Sequence, residues 1–366
     1  MNLETFGTFS YFKQRAVIVG SNLLDGLGVL IRPYLKSSRI AVIFDESLTT
    51  VFQEKILPSL EQSAFEILSV PVNGNESIKS LDGLSFLESQ LLPFVDRKTT
   101  LIVIGGGAIG DAAGFLASIL LRGIPWIYLP TTLLSQVDSS IGGKTAINSS
   151  FGKNLIGSFH FPLLVLTDTM FLKTLSKRHL AAGFVELSKH ALIQDAELFM
   201  DLERNHKKLF KCIDLLGPYI FKSIKLKLEI INQDWFEQEQ GTRQYLNLGH
   251  TFAHAFESMT KGEQGLLHGE AVALGLCAAY DFAAHKDICC SKDAKRVKDY
   301  MGSIGMPTDY QNLLSGDQVL AYFKVDKKKR GDKITFILPK GIGKGCHLFT
   351  IPESSLNLTF SLFSDN

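Results

Sequence analysis

Three short segments place ionisable side chains in apolar surroundings: GFVELSKHALI with Glu186 and Lys189, LNLGHTFAHAFE with His250 and His254, and LLHGEAVALG with His268. His250 and His254 stand four residues apart, so on a helix both rings leave one face, the spacing a metal-binding helix uses. Buried without partners, such groups would each cost several kcal/mol, so they are expected to satisfy one another. A carboxylate from Glu186 and two imidazoles make a donor set suited to Zn²⁺ or a similar divalent ion, with a position left open for a substrate oxygen. Two pairings of imidazoles fit the spacing. His250 with His254 forms HxxxH, whereas His250 with His268 frees His254 for proton transfer. No Glu follows His250, which argues against an HExxH zinc protease. A lone helical His is usually a satisfied core residue, but three such residues between positions 250 and 268, beside Gly249 and Gly269, favour a site.

Cations gather along the same stretch. Lys189 lies one turn after Glu186, Arg243 precedes Asn247 and His250 on successive turns, and Lys227 lies upstream. An Arg grips a carboxylate through two hydrogen bonds, while a Lys is a point charge suited to phosphate. A substrate with one carboxylate and one phosphate matches that mixture. Lys227, in KSIKLKLEII, taken alone reads first as a solvated helix face.

The other chemistry-bearing run lies in the first half. After TTLIVIG comes GGGAIGDAAGFLAS, in which Gly105, Gly107 and Gly110 satisfy GxGxxG between a strand and a helix. Such glycines let the backbone approach a pyrophosphate at a helix N-terminus. The acidic residue expected about twenty positions later is missing, which disfavours an ordinary Rossmann dehydrogenase. Asp45, ending the run IAVIFD, can bind an adenosine ribose or cap a helix. PTTLLSQVDSSIGGKTAIN and FGKNLIGSFH are dense in hydroxyls and glycines, with Lys144 and Lys153 each following a Gly, a composition for holding anions. Ser139 stands where a phosphate-binding GxxxxGK[ST] loop needs its first glycine, so a nucleotide triphosphatase is disfavoured.

These groups need a scaffold. Strand-like runs at 40–45, 64–72, 99–105 and 124–130 alternate with helical patterns, as in a mostly parallel sheet with crossover helices. From about residue 170 long helical windows dominate. The expectation is a Rossmann-like α/β NAD-binding domain over 1–169 and a mainly α-helical metal- and substrate-binding domain over 170–366. With 38 Lys+Arg against 37 Asp+Glu and no basic stripe, nucleic acid is not an expected partner. Five cysteines without CxxC spacing fit a reducing compartment. The N-terminus lacks a signal peptide's order of charge and apolarity. The longest apolar stretch, LIVIGGGAIGDAAGFLASILL, is broken by Asp111 and glycines, as in a strand, a turn and a helix rather than a membrane span. The expectation is a soluble, cytoplasmic protein.

Six ordered motifs, GGGAIGDAAGFLAS, LPTTLLSQVDSSIGGKTAIN, GKNLIGSF, GFVELSKHALI, RQYLNLGHTFAHAFE and LHGEAVALG, together resemble the 3-dehydroquinate synthase family, over about residues 40 to 340. The resemblance implies conversion of 3-deoxy-D-arabino-heptulosonate 7-phosphate to 3-dehydroquinate and phosphate in the shikimate pathway, with NAD and Zn²⁺ or Co²⁺. Transient oxidation, phosphate elimination, re-reduction and aldol closure are the implied steps. It makes Glu186, His250 and His268 the metal ligands and His254 a proton-transfer group. Glu239, Lys189 and Asp138 join His254 as implied catalytic positions, Asp138 also as a substrate contact. Arg122, Lys144, Asn154, Lys227, Arg243 and Asn247 match substrate positions, as does one of Lys327 and Lys328. For NAD the matching positions are Asp45, Glu76, Lys79, Gly106, Gly107, Asp111, Thr131, Thr132 and Lys153. A homodimer is a further family expectation. The sequence departs from the family pattern at Ala253, commonly Gly, in SKHALI, and in a lengthened DWFEQEQ before GTRQ, which bears on Glu239. Competing expectations are an inosose or valiolone synthase, whose substrates lack the carboxylate that Arg243 and Lys227 demand, and a metal-dependent polyol dehydrogenase, which needs no phosphate cradle. A noncatalytic nucleotide-binding protein would have no use for the metal and proton-transfer residues.

Overall fold

The computed structural model describes residues 4–12, 15–238, 241–260, 265–314, 333–352 and 354. The chain divides into two compact units, Met1–Ser176 with Cys212–Leu228, and Lys177–Lys211 with Glu229–Asn366. The first unit therefore takes back a segment from beyond residue 170.

That unit is built on a seven-stranded sheet in the order β1-β2-β9-β6-β5-β3-β4. Its strands are β1 (Glu4–Tyr11), β2 (Arg15–Ser21), β3 (Arg39–Asp45), β4 (Glu66–Val72), β5 (Thr100–Gly105), β6 (Trp126–Pro130) and β9 (Leu164–Asp168). All neighbours pair in parallel except β1 with β2. The residues explain the arrangement. In β3, Ile40, Val42 and Phe44 enter one core, while Ala41 and Ile43 enter the core on the opposite face. β5 and β6 alternate likewise, Ile102, Ile104, Ile127 and Leu129 against Leu101, Val103, Trp126 and Tyr128. A strand covered on both sides must be apolar at every position, which is why these segments read as continuous hydrophobic runs. Helices Leu81–Leu91 and Gly107–Ile119 line one of these cores.

Residues read as an anion-holding loop form a hairpin, β7 (Lys144–Ser149) with β8 (Gly152–Phe159), beyond the five-residue helical turn Ser135–Ser139. The returning segment carries most of helix Gly217–Ile231, whose Phe221 ring stacks on Phe9 of β1 at a centroid distance of 4.3 Å.

The second unit is mainly helical: Lys177–Gln194, Ala196–Lys211, His250–Met259, His268–His285 and Ser291–Ser303, with one hairpin, β10 (Lys333–Pro339) and β11 (Cys346–Pro352). Helix His268–His285 is buried along nearly its whole length, as its near-continuous Ala, Val, Leu and Gly sequence requires. Its Phe282 ring packs against those of Phe252, Phe336 and Phe349 at centroid distances of 5.6 to 6.3 Å. Three glycines set how closely the helices approach. A Cβ on Gly269 would lie 2.6 Å from the carbonyl carbon of Ala182 and nearer still to its oxygen. One on Gly275 would press on the backbone of Gly249 and Ala253, and Gly249 itself has φ +80°, a conformation that favours glycine. Among the described residues no helix is long and apolar enough to cross a membrane.

Candidate metal centre and dinucleotide cradle

The close helix contacts bring three side chains to one point in the second unit. Glu186, on helix Lys177–Gln194, is fully buried. Its Oε1 lies 3.7 Å from His250 Nε2 and 3.6 Å from His268 Nε2. His250 and His268 are the first residues of their helices, docked through Gly249, Gly275 and Gly269. One ligand atom from each of the three lies within 4.8 Å of the others. Tetrahedral zinc with bonds of about 2.0–2.2 Å spaces its donors about 3.3–3.5 Å apart, so small side-chain rotations bring the set to coordinating distance.

The donor chemistry agrees with a cation. Neither carboxylate oxygen of Glu186 has an aligned hydrogen-bond partner. Its Oε2 has the Lys189 ammonium at 2.5 Å, with Lys189 only 1% exposed, while Oε1 faces the two imidazoles. A buried carboxylate whose second oxygen faces two ring nitrogens is a fitting ligand, because buried charge is costly unless paired or coordinated. Each imidazole is turned by its other nitrogen, His250 Nδ1 facing the Leu248 carbonyl oxygen at 3.3 Å and His268 Nδ1 facing Glu257 Oε1 at 3.1 Å. His254 does not join the cluster. It is exposed, its ring 5.6 Å from that of His250 and nearly perpendicular to it. Of the two pairings that the spacing allows, the structure brings His250 and His268 to Glu186.

Nearby in the same unit, Arg243 is buried and donates to the Trp235 carbonyl oxygen, and Asn247 donates to Glu237 at 2.8 Å. Arg178 grips both oxygens of Glu270 at 2.7 Å, and Glu270 in turn accepts from the Leu267 N–H at 2.8 Å, closing the first turn behind His268. That Arg178 bond holds the Glu270 carboxyl below the ordinary carboxylate range. Glu239, Lys327 and Lys328 lie outside the described residues.

In the first unit the glycine turn is a tight cradle. Gly106 precedes helix Gly107–Ile119. A Cβ on Gly106 would sit 3.3 Å from Thr132 Cγ2, and one on Gly107 3.1 Å from Ser139 Oγ, so a side chain would fill the space where backbone N–H groups can meet a phosphate. Gly110 answers a different need, since its Cβ would lie 2.7 Å from Tyr128 Cε1, whose hydroxyl donates to the Gly106 carbonyl at 2.9 Å. Thr131 donates its N–H to Gly105, and Thr132 and Ser135 bond each other. Lys79, buried, donates to Asp111 at 2.8 Å and to Asn154 at 2.5 Å, with Glu76 at 3.7 Å. Burial raises the Asp111 carboxyl, and the Lys79 charge opposes that. Asn148, which the sequence did not single out, ties Glu76 to Asn154, donating to the first and accepting from the second's N–H. Asp45 both caps the turn Glu46–Leu48 and sits against Gly74, where any Cβ would collide with its carboxylate. Lys227 is buried with its ammonium on Asp138, 2.7 Å from Oδ1 and 2.5 Å from the carbonyl oxygen. That replaces the solvated helix face its sequence context first implies. Lys144 and Lys153 are exposed on the hairpin, and Arg122 is exposed with φ +70°.

Residues missed by sequence reasoning are supporting ones: Glu257 against His268, Arg178 and Glu270 at the first turn of that helix, and Asn148 between Glu76 and Asn154. Glu257 carried a readable signal, since it follows His250 by seven residues in HTFAHAFE and so shares its helix face.

Comparisons with known proteins show the family. Models of the 3-dehydroquinate synthase N-terminal and C-terminal regions match residues 69–182 and 183–329. The 3-dehydroquinate synthase of Rhizobium meliloti is 40% identical over 346 residues, covering 93% of this chain and 91% of that protein. That of Caulobacter vibrioides is 40% identical over 334 residues, covering 89% and 90%. Among solved structures, 2-epi-5-epi-valiolone synthase from Streptomyces hygroscopicus, with NAD⁺ and Zn²⁺ bound, superposes with a TM-score of 0.84 at 26% identity over 98% of this chain and 99% of that one. Matched by both family models over residues 69–329 and 40% identical to a relative over 93% of its length, this chain belongs to the 3-dehydroquinate synthase family.

Proposed function

We propose that this protein converts 3-deoxy-D-arabino-heptulosonate 7-phosphate to 3-dehydroquinate and inorganic phosphate, a carbon–oxygen lyase reaction of the shikimate pathway, with NAD and a divalent metal. The observation that carries the reading is the convergence of Glu186, His250 and His268 in a chain matched by both family models. The metal is Zn²⁺ or Co²⁺, held by those three residues. NAD is held by Asp45, Glu76, Lys79, Gly106, Gly107, Asp111, Thr131, Thr132 and Lys153, with the glycines admitting its phosphates to the helix N-terminus.

The chemical problem is a carbon acid too weak to eliminate phosphate at neutral pH. When bound, the nicotinamide supplies a hydride sink and source for a substrate carbinol, and the metal ion supplies Lewis acidity at its oxygen. The chain's own groups do the remaining work. His254 moves a proton, as its exposure outside the ligand cluster permits. Arg243 offers the paired donors a carboxylate requires, and Lys227, oriented by Asp138, offers a point charge to an anionic oxygen. Lys144, Asn154, Asn247, Arg122 and one of Lys327 and Lys328 add substrate contacts, and Glu239 and Lys189 complete the acid-base set. Much of the rate enhancement is then positioning of a doubly anionic sugar. We place the protein in the cytoplasm as a homodimer.

The test is phosphate release from the heptulosonate phosphate with and without a chelator, while NADH absorbance is followed. The reading predicts metal-dependent phosphate release and no net NADH. Sustained NADH accumulation without phosphate would instead identify a polyol dehydrogenase.

A further inference from the structure

We infer that Glu257 is a positioning residue for the metal centre: its carboxylate accepts the Nδ1 proton of His268 and so presents Nε2 of that ring to the cation. The inference rests on the metal reading above and deepens it. His268 Nδ1 lies 3.1 Å from Glu257 Oε1, while Nε2 of the same ring lies 3.6 Å from Glu186 Oε1. An ionised carboxylate only accepts hydrogen bonds. Nδ1 must therefore carry the proton, which leaves the lone pair on Nε2, the nitrogen aimed at Glu186. His250 follows the same rule with another acceptor, its Nδ1 facing the Leu248 carbonyl at 3.3 Å and its Nε2 facing Glu186 at 3.7 Å.

The two rings differ in how much they need such a partner. The His250 side chain is 11% exposed and that of His268 is 33% exposed, so packing holds the first ring and leaves the second freer to turn. Glu257, itself 11% exposed, restrains it through Nδ1. Helix His250–Met259 thus supplies one ligand, His250, and two turns later on the same face the orienter of another ligand, which starts helix His268–His285. A charged acceptor also makes the imidazole a more basic donor, and losing such a partner typically costs about 10- to 100-fold in metal affinity.

The test is equilibrium Zn²⁺ affinity, by competition with a chromophoric chelator, for the wild type, Glu257→Ala, Glu257→Gln and His250→Ala, together with thermal melting of each metal-free protein. Glu257→Ala is expected to bind Zn²⁺ about 10- to 100-fold more weakly. Glu257→Gln keeps a neutral acceptor and should lose less. The metal-free melting curves should overlay that of the wild type, and excess Zn²⁺ should restore occupancy. Wild-type affinity in both Glu257 variants would overturn the inference while leaving the metal site intact. So would a lowered metal-free melting point in Glu257→Gln that accounts for its loss of zinc, because Glu257 would then only hold the fold. A wild type that binds no Zn²⁺, or a His250→Ala protein that binds it as tightly as the wild type, would overturn the metal reading and the inference with it.

Discussion

Gly269→Ala puts the logic of the metal centre under direct strain. By helix propensity alone the change should stabilise helix His268–His285, by up to about 1 kcal/mol. The structure reverses that sign. The added Cβ would lie 2.6 Å from both the carbonyl carbon and the Cα of Ala182, against the 3.4 Å at which ordinary contact begins. The atoms opposing it are backbone of helix Lys177–Gln194, so no side chain can rotate away. The two helices must separate by at least the shortfall of about 0.8 Å, and by more at the Ala182 carbonyl oxygen, which lies nearer still. Overpacking of this kind costs about 1–3 kcal/mol, so the metal-free protein should melt lower than the wild type. Ala182 is one helical turn before Glu186, and Gly269 is next to His268, so the same displacement opens the 3.6 Å gap between Glu186 and His268. Metal sites tolerate about 0.2 Å in their ligand distances, so zinc affinity should fall at least as far as in Glu257→Ala. Calorimetry of the metal-free protein and a chelator titration read the two effects separately. A Gly269→Ala protein that melts at or above the wild-type temperature and binds zinc normally would refute the argument that backbone contact sets the ligand distances.

Other consequences are equally direct. Because the Arg178 bond lowers the Glu270 carboxyl, the stability it contributes is present above the ordinary carboxylate range and is lost as pH falls through the lowered folded value. The melting difference between wild type and Glu270→Gln should therefore be full at neutral pH and shrink as pH falls through that lowered value. Burial pushes the Cys277 and Cys346 thiols up to about 12, whereas Cys212 and Cys290 are exposed. Iodoacetamide on the native protein at neutral pH should mark Cys212 and Cys290 first, as peptide mass spectrometry would show, with Cys277 and Cys346 reacting only after denaturation. Lys79→Met leaves Asp111 without its 2.8 Å partner and should cost about 2–4 kcal/mol in denaturant unfolding, discounted from the range for a fully buried pair because Asp111 keeps some exposure. It should also weaken NAD binding measured by calorimetry.

What could be read before folding follows from where each segment gets its stabilisation. β3, β5 and β6 are legible because burial on both faces writes an unbroken apolar run into each. β1 is half exposed, so it lacks that signature, and β9 is five residues long and runs straight into a helical turn. The hairpin of β7 and β8 is rich in Gly, Ser, Thr and Asn, a composition shared with loops, and its ladder of backbone bonds is invisible to composition. The return of Cys212–Leu228 to the first unit depends on contacts such as Phe221 with Phe9, which join residues far apart in the chain. At the site, donor types and helical spacing marked Glu186 and the histidines. Spacing alone left His268 and His254 both open and only the family resemblance preferred His268; what spacing lacks is the distance between two helices, which Gly249, Gly269 and Gly275 determine through backbone contact. Lys227 shows the same limit, since only the fold reveals Asp138 against it.

The most direct measurement of the central claim is the zinc content and turnover of two purified variants. The account predicts that His268→Ala is empty of metal, and that His254→Ala holds one equivalent of zinc yet releases no phosphate from the heptulosonate phosphate. An empty His254→Ala beside a loaded His268→Ala would contradict it.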